Sequence, residues 1–184
     1  MATAFFRIFV LGGLLALFLP AEVGVANSEG ADDHGLIHLR FFWHDTSRGP
    51  DPSAVDVAQS PTTNASATRF GQVRVFDDPI TVGLNISTEK LGKSQGIYLS
   101  ADKEISGLLM DMNFYFITGR YNGSTFAVMG RNPIESPVRE MPVVGGTQQF
   151  RFATGYVQAH TRYTDLTIGY NIVEYNCYLK INNY

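Results

Sequence analysis

From Ile37 onward the apolar residues of this chain recur at every second position, in short runs separated by turn residues. A period of two belongs to strands, whose side chains alternate between two faces. Ile37, Leu39, Phe41 and Trp43 alternate with His38, Arg40, Phe42 and His44. Met110, Met112, Phe114 and Phe116 alternate with Asp111, Asn113 and Tyr115. Val173, Tyr175, Cys177 and Leu179 alternate with Ile172, Glu174, Asn176 and Tyr178. Shorter runs at 71–76, 80–86, 96–101, 125–130 and 150–159 fill the space between. No segment longer than about ten residues carries the 3.6 period of a helix outside the first residues. An all-β fold follows.

The turn signals agree. Asp77-Asp78-Pro79 and Lys93-Ser94-Gln95 read as breaks, and residues 46–69, rich in Ser, Thr, Pro, Ala and Asp, read as a long loop. Tyr121-Asn122-Gly123-Ser124 predicts a hairpin turn, because Asn-Gly favours positive φ at both central positions. The count is about eight strands, which closes into a barrel around side chains or one small ligand. The pattern fits a sandwich equally well.

The 184 residues suffice for one domain with a real core. Arg7, an apolar stretch at 8–19, Pro20 and the small residues Gly24-Val25-Ala26 form a secretory leader, too short for a membrane anchor. The domain plan is therefore a leader at 1–26, a polar flexible segment at 27–36 and a β domain at 37–184. Three sequons, at Asn64, Asn85 and Asn122, fit a secreted, extracellular glycoprotein. Cys177 is the single cysteine, which excludes an internal disulfide and reads as a small buried hydrophobe. His34, His38, His44 and His160 lack metal-ligand spacing, so no metal site is predicted. A net charge of −3 gives no electrostatic case for nucleic acid, and no second apolar stretch suggests a membrane partner. Aromatic content of 12% suits a barrel core or a pocket for flat organic ligands.

One run is unusually specific. Val138-Arg139-Glu140-Met141-Pro142 leads into Val143-Val144-Gly145-Gly146-Thr147, and then Phe150, Phe152 and Tyr156 follow at even spacing. It reads as loop, tight turn and strand, with the two glycines permitting positive φ. This run resembles a signature of the plant dirigent proteins. Five further motifs resemble that family in the same order: Phe41-Phe42-Trp43-His44-Asp45; Phe76-Asp77-Asp78-Pro79-Ile80-Thr81; Gly92-Lys93-Ser94-Gln95-Gly96-Ile97-Tyr98; residues 116–132 with Met129-Gly130-Arg131-Asn132; and Glu174-Tyr175-Asn176.

The resemblance implies an eight-stranded antiparallel β-barrel of the allene-oxide-cyclase type with an internal pocket. It implies a homo-oligomer, a trimer in preference to a dimer, and no cofactor. It also implies a small phenolic substrate or radical, with a laccase or peroxidase as the functional partner that oxidises it. The first functional reading is stereoselective coupling of phenoxy radicals in lignan-type phenylpropanoid metabolism. The alternative is a lyase that dehydrates an isoflavanol through a quinone methide to a pterocarpan; a further one is a non-catalytic phenolic-binding protein of the wall or of defence.

The same resemblance singles out site residues. Asp45 fits the family's catalytic aspartate, and a carboxyl can move the proton when oxygen attacks a quinone methide. Tyr98 fits a pocket tyrosine and Arg139 a pocket arginine, which could hold a phenolic oxygen. From the residues alone, Asp45 could equally end a strand, Tyr98 pack at a barrel mouth, and Arg139 pair with Glu140. Thr161 aligns with another pocket position. Asn132 stands where many lignan-forming members carry a second aspartate; an amide hydrogen-bonds but does not exchange a proton near neutral pH.

Overall fold

The structure, a computed structural model, describes residues 35–181. The expected leader lies outside the described residues, as do residues 27–34 and 182–184. The strands among them are β1 (Ile37–Thr46), β2 (Ala54–Ala58), β3 (Val73–Thr81), β4 (Lys90–Ser100), β5 (Gly107–Phe116), β6 (Thr125–Pro133), β7 (Arg139–Gly146), β8 (Thr154–Asp165) and β9 (Tyr170–Lys180). All pair antiparallel, in the order β1-β9-β8-β7-β6-β5-β4-β3-β2. β1 also pairs with β3, Phe42 facing Thr81 and Trp43 facing Ile80. That contact closes eight strands into a barrel and leaves β2 beside β3, outside the ring. The barrel, not the sandwich, is the fold; closure removes the exposed edges of an open sheet.

The period-two pattern maps onto the barrel's two faces. Leu39, Phe41 and Trp43, Met110 to Phe116 by twos, and Val173 to Leu179 by twos are buried inside. At one end Phe114, Phe116, Tyr121, Phe126 and Phe150 fill the bore, their rings 4.8 to 6.1 Å apart in stacked, tilted and edge-on pairs.

Several expected breaks are strand. β3 runs straight through Asp77-Asp78-Pro79, and β4 through Lys93-Ser94-Gln95, the two segments pairing with each other. Pro79 is tolerated because of a seam. Asp77, whose N–H points to the same edge, donates to Ser53 O at 2.9 Å. The β1 pairing resumes only at Ile80. The N–H that Pro79 lacks therefore falls in the gap between β1 and β2, where no ladder bond is needed. Residues 82–89, expected as strand as far as Ile86, are loop, with Leu84 and Ile86 exposed.

The long loop contains β2 and a 3-10 turn, Thr63–Ala65. The turn at 121–124 has φ −50° at Asn122 and +80° at Gly123, with Ser124 N–H bonded to Tyr121 O at 2.9 Å. That is a type II turn, which needs glycine at one central position only. In the signature run the strand comes first. β7 passes through Pro142 to Gly146, and the turn is the later 3-10 segment Gln148–Phe150. Gly146 is required for close approach: a Cβ there would sit 2.6 Å from both Phe150 O and Thr125 O. Phe150 is buried while Phe152 is exposed at positive φ, so these aromatics do not share a face.

Candidate functional site

At the end opposite the aromatic plug, the inward positions turn polar and surround a cavity of about 440 Å³. Asp45, Tyr98, Asn132, Arg139 and Thr161 all line it. They come from β1, β4, β6, β7 and β8, and strand parity explains their convergence. Asp45 continues the inward phase of Phe41 and Trp43; Asn132 continues that of Phe126 and Val128; Thr161 continues that of Val157 and Ala159; Arg139 opens that of Met141 and Val143.

Asp45 is 5% exposed and accepts two side-chain hydrogen bonds. Asn171 Nδ2 donates to Oδ2 at 3.2 Å and Tyr98 O–H to Oδ1 at 3.5 Å, a long contact. Burial pushes the Asp45 pKa up, while Asn171, the nearby charge of Arg74 and Tyr98 oppose the rise. The result is a carboxyl that holds a proton more readily than an exposed aspartate does. Tyr98 in turn accepts from Arg74 Nη1 at 3.0 Å, and the guanidinium lies 5.5 Å from its ring centroid. Burial and the Asp45 charge both raise the Tyr98 phenol above its usual value, so it stays a donor. Arg74 is held by Asp56 at the outer edge, Nε to Oδ1 2.6 Å.

Arg139 is 3% exposed and donates from Nε to Asn132 Oδ1 at 3.1 Å. It does not pair with Glu140, which points outward toward Gln158. The partner is an amide oxygen and not a carboxylate. An aspartate at 132 would neutralise Arg139 within the wall; asparagine leaves its charge free to act on a ligand. Burial lowers the Arg139 pKa, yet a guanidinium remains charged.

Arg74, Asn171 and Asp78 belong to this region and were not among the sequence candidates. All three are polar residues on an apolar inward phase: Arg74 and Asp78 flank Phe76, and Asn171 precedes Val173 and Tyr175 by twos. That signal is readable once the strand limits are right. Asn64, Asn85 and Asn122 lie on exposed turns outside the cavity lining. Among the described residues, no group of three or more His, Cys, Asp or Glu is placed to hold a metal ion.

The family model described as Dirigent-like protein matches residues 36–180. The chain is 46% identical over 174 residues to dirigent protein 21 of Arabidopsis thaliana, covering 90% of this chain and 92% of that protein. It is 47% identical to pterocarpan synthase 1 of Glycine max, covering 84% and 83% respectively. Among solved structures, the pterocarpan synthase dirigent protein GePTS1 superimposes with a TM-score of 0.75 at 45% identity, over 80% of this chain and 91% of that one. A barrel of this topology and a match over nearly its whole described length lead to one conclusion: the chain belongs to the dirigent family.

Proposed function

We propose that the chain binds a phenolic benzylic alcohol in the open end of the barrel and dehydrates it through a quinone methide, as a pterocarpan-synthase-like carbon–oxygen lyase. The observation that carries this reading is a buried carboxyl, Asp45, and a buried guanidinium free of any carboxylate bond, Arg139, on the wall of one cavity. Protonated Asp45 gives its proton to the benzylic hydroxyl, which leaves as water. Arg139 holds the phenolate oxygen whose electrons form the quinone methide. A second phenolic oxygen of the same substrate then adds to the benzylic carbon and gives its proton to the Asp45 carboxylate. The first phenol regains the proton it released to solvent, and the net change is loss of one water. Tyr98 orients Asp45, while Asn132 and Thr161 contact the ligand.

A second reading is supported by two aromatic rings that line the cavity, Trp43 and Tyr98, both backed by the buried ring of Phe76 with centroids 5.5 and 5.7 Å away. Such a lining suits stereoselective coupling of phenoxy radicals made by a separate laccase or peroxidase. In either case the chain requires no cofactor of its own. Incubation with a racemic isoflavanol and no oxidant decides between them. The lyase reading expects consumption of the substrate with formation of pterocarpan. An untouched isoflavanol, with enantiomerically enriched product from coniferyl alcohol plus laccase, transfers the assignment to coupling. Tight phenolic binding without either reaction leaves a binding protein.

We further propose a secreted glycoprotein that assembles with copies of itself. Val55, Val75 and Ile97 are register partners across β2, β3 and β4, each 37 to 46% exposed, and form an apolar strip on the outer face. A second copy of the chain covers it, and light scattering should give three times the protomer mass; a monomer mass refutes the assembly.

A further inference from the structure

Asp78 is 0% exposed, yet neither carboxyl oxygen has a hydrogen-bond partner in the protein. Ser53 and Trp43 are near enough to favour its charged form, but no contact to it has hydrogen-bond geometry. Ser94 Oγ, from its cross-strand partner, and Trp43 Nε1 are likewise buried without partners. An ionised carboxylate in such surroundings is heavily penalised.

The register says what lies beside it. Trp43 of β1 faces Ile80 of β3. Asp45 and Asp78 each lie two residues beyond that last pair on their strands, both on the inward phase, at the seam where β1 and β3 part, and the charge of Asp45 is felt at Asp78. Neighbouring strands extend the row, with Asn171 opposite Asp45 and Ser94 opposite Asp78. The two carboxyls are unequally provided for. Asp45 accepts bonds from Asn171 and Tyr98 and feels Arg74, whereas Asp78 accepts none. When two carboxyls share a low-dielectric site, the one with donors ionises and the other keeps its proton.

We propose that Asp78 is a positioning residue for the chemistry at Asp45: a carboxylic acid that stays neutral behind the cavity wall, so that Asp45 alone carries the charge of the pair. Asp45 can then pass between acid and carboxylate without a second negative charge beside it. Burial lifts Asp78 to about 9, and the charge of Asp45 adds to the rise. The other ionisable groups that act on or feel Asp78 are Asp77 on its own strand, Tyr98 from β4 and Tyr175 from β9. From β5 the inward neighbours are Met112 and Phe114, which do not titrate.

The functional part rests on the lyase reading above; its physical test needs no substrate. Infrared difference spectra of the whole protein at pH 7 should contain a protonated-carboxyl C=O band that is absent from Asp78→Asn. The band should titrate with a midpoint of about 9. In Asp45→Asn that midpoint should fall by about one pH unit or more, because the neighbouring charge is gone. Labelling with 13C-aspartate assigns the band to an aspartate, and its persistence in Asp45→Asn excludes Asp45, whether or not Asp78→Asn folds. A missing band at pH 7, or a midpoint indifferent to Asp45→Asn, overturns the proposal even if the isoflavanol is turned over. With turnover, Asp78→Asn should lose the alkaline limb of the rate profile near pH 9 and keep its rate at pH 6–7 within about threefold. A limb unchanged in Asp78→Asn also overturns the proposal, whereas an inert isoflavanol with the infrared shifts intact removes only the lyase reading.

Discussion

The two ends of this barrel are made by the same strands and the same alternation, and they do opposite things. At the plugged end the inward residues are Leu39, Leu91, Phe116, Phe126, Phe150 and Leu179, all at most 1% exposed. At the open end the same rows continue into Asp45, Arg74, Tyr98, Asn132, Arg139 and Asn171 around the cavity. One end spends its inward positions on packing, and the other holds charged and polar groups in partial isolation from water. The aromatic plug gives the barrel the stability that a polar bore would forfeit. It also fixes the strand positions on which the polar groups converge, so the site stands on rigid elements and not on loops.

A substitution at each end should therefore fail differently. Phe114 is 0% exposed, with rings of Phe41, Phe126 and Tyr175 at 4.8 to 5.0 Å. Phe114→Ala should cost about 3–5 kcal/mol in denaturant unfolding, while the folded fraction keeps its reaction. A loss of activity out of proportion to the unfolded fraction would show that the plug shapes the cavity directly.

Arg139→Met is the mirror case. It removes a buried charge whose partner is an amide, so stability should move by no more than about 1 kcal/mol. The rate should fall by about 10²–10³, the scale of one lost oxyanion donor. Unchanged kcat/KM with a lower midpoint of unfolding would reassign Arg139 to the structure of the wall.

The contrast between the ends also explains what could be read in the chain beforehand. The plugged end is legible because Phe and Leu at every second position have one good place to go. The open end is legible only in part. Asp45, Tyr98, Asn132, Arg139 and Thr161 share one cavity, as the family motifs imply. Asp78 was hidden by Pro79, since Asp-Asp-Pro is a turn signal unless an edge exists where the missing N–H costs nothing. That edge arises from β1 and β2 sharing β3 between them, a long-range arrangement no local pattern contains. The same blindness hid β2, whose Val55 and Val57 sit within Ser- and Pro-rich flanks. Arg74 and Asn171 look like solvent-facing polar residues until the inward phase is counted through them.

The smallest effect is a pair of opposed pH slopes, one on each face of the wall. His44, next to Asp45 but pointing outward, is 1% exposed. Thr81 donates its hydroxyl to Gly83 O at 2.8 Å, so it must accept from His44 Nε2–H at 2.7 Å. His44 Nδ1 then accepts from Tyr170 O–H at 2.7 Å, which fixes a neutral tautomer. Burial lowers its pKa from 6.5 to about 4. The unfolded chain therefore takes up the proton first, and stability falls as pH drops from 6.5 toward 4. Between pH 7 and 5 that loss is about 2 kcal/mol. Asp78 has the opposite sign: its folded pKa is raised from 3.8 to about 9, so its stability contribution is full below 3.8 and is lost as pH rises. Lowering the pH from 7 to 5 recovers about 3 kcal/mol. In the wild-type chain these two slopes largely offset. Asp78→Asn should unmask acid destabilisation, and His44→Gln, whose amide can serve both Thr81 and Tyr170, should unmask acid stabilisation. The measurement is the unfolding midpoint of each variant at pH 7 and pH 5. Parallel shifts in all three proteins would mean that neither group titrates as its burial dictates, and that the polar end of the barrel is far wetter than its packing implies.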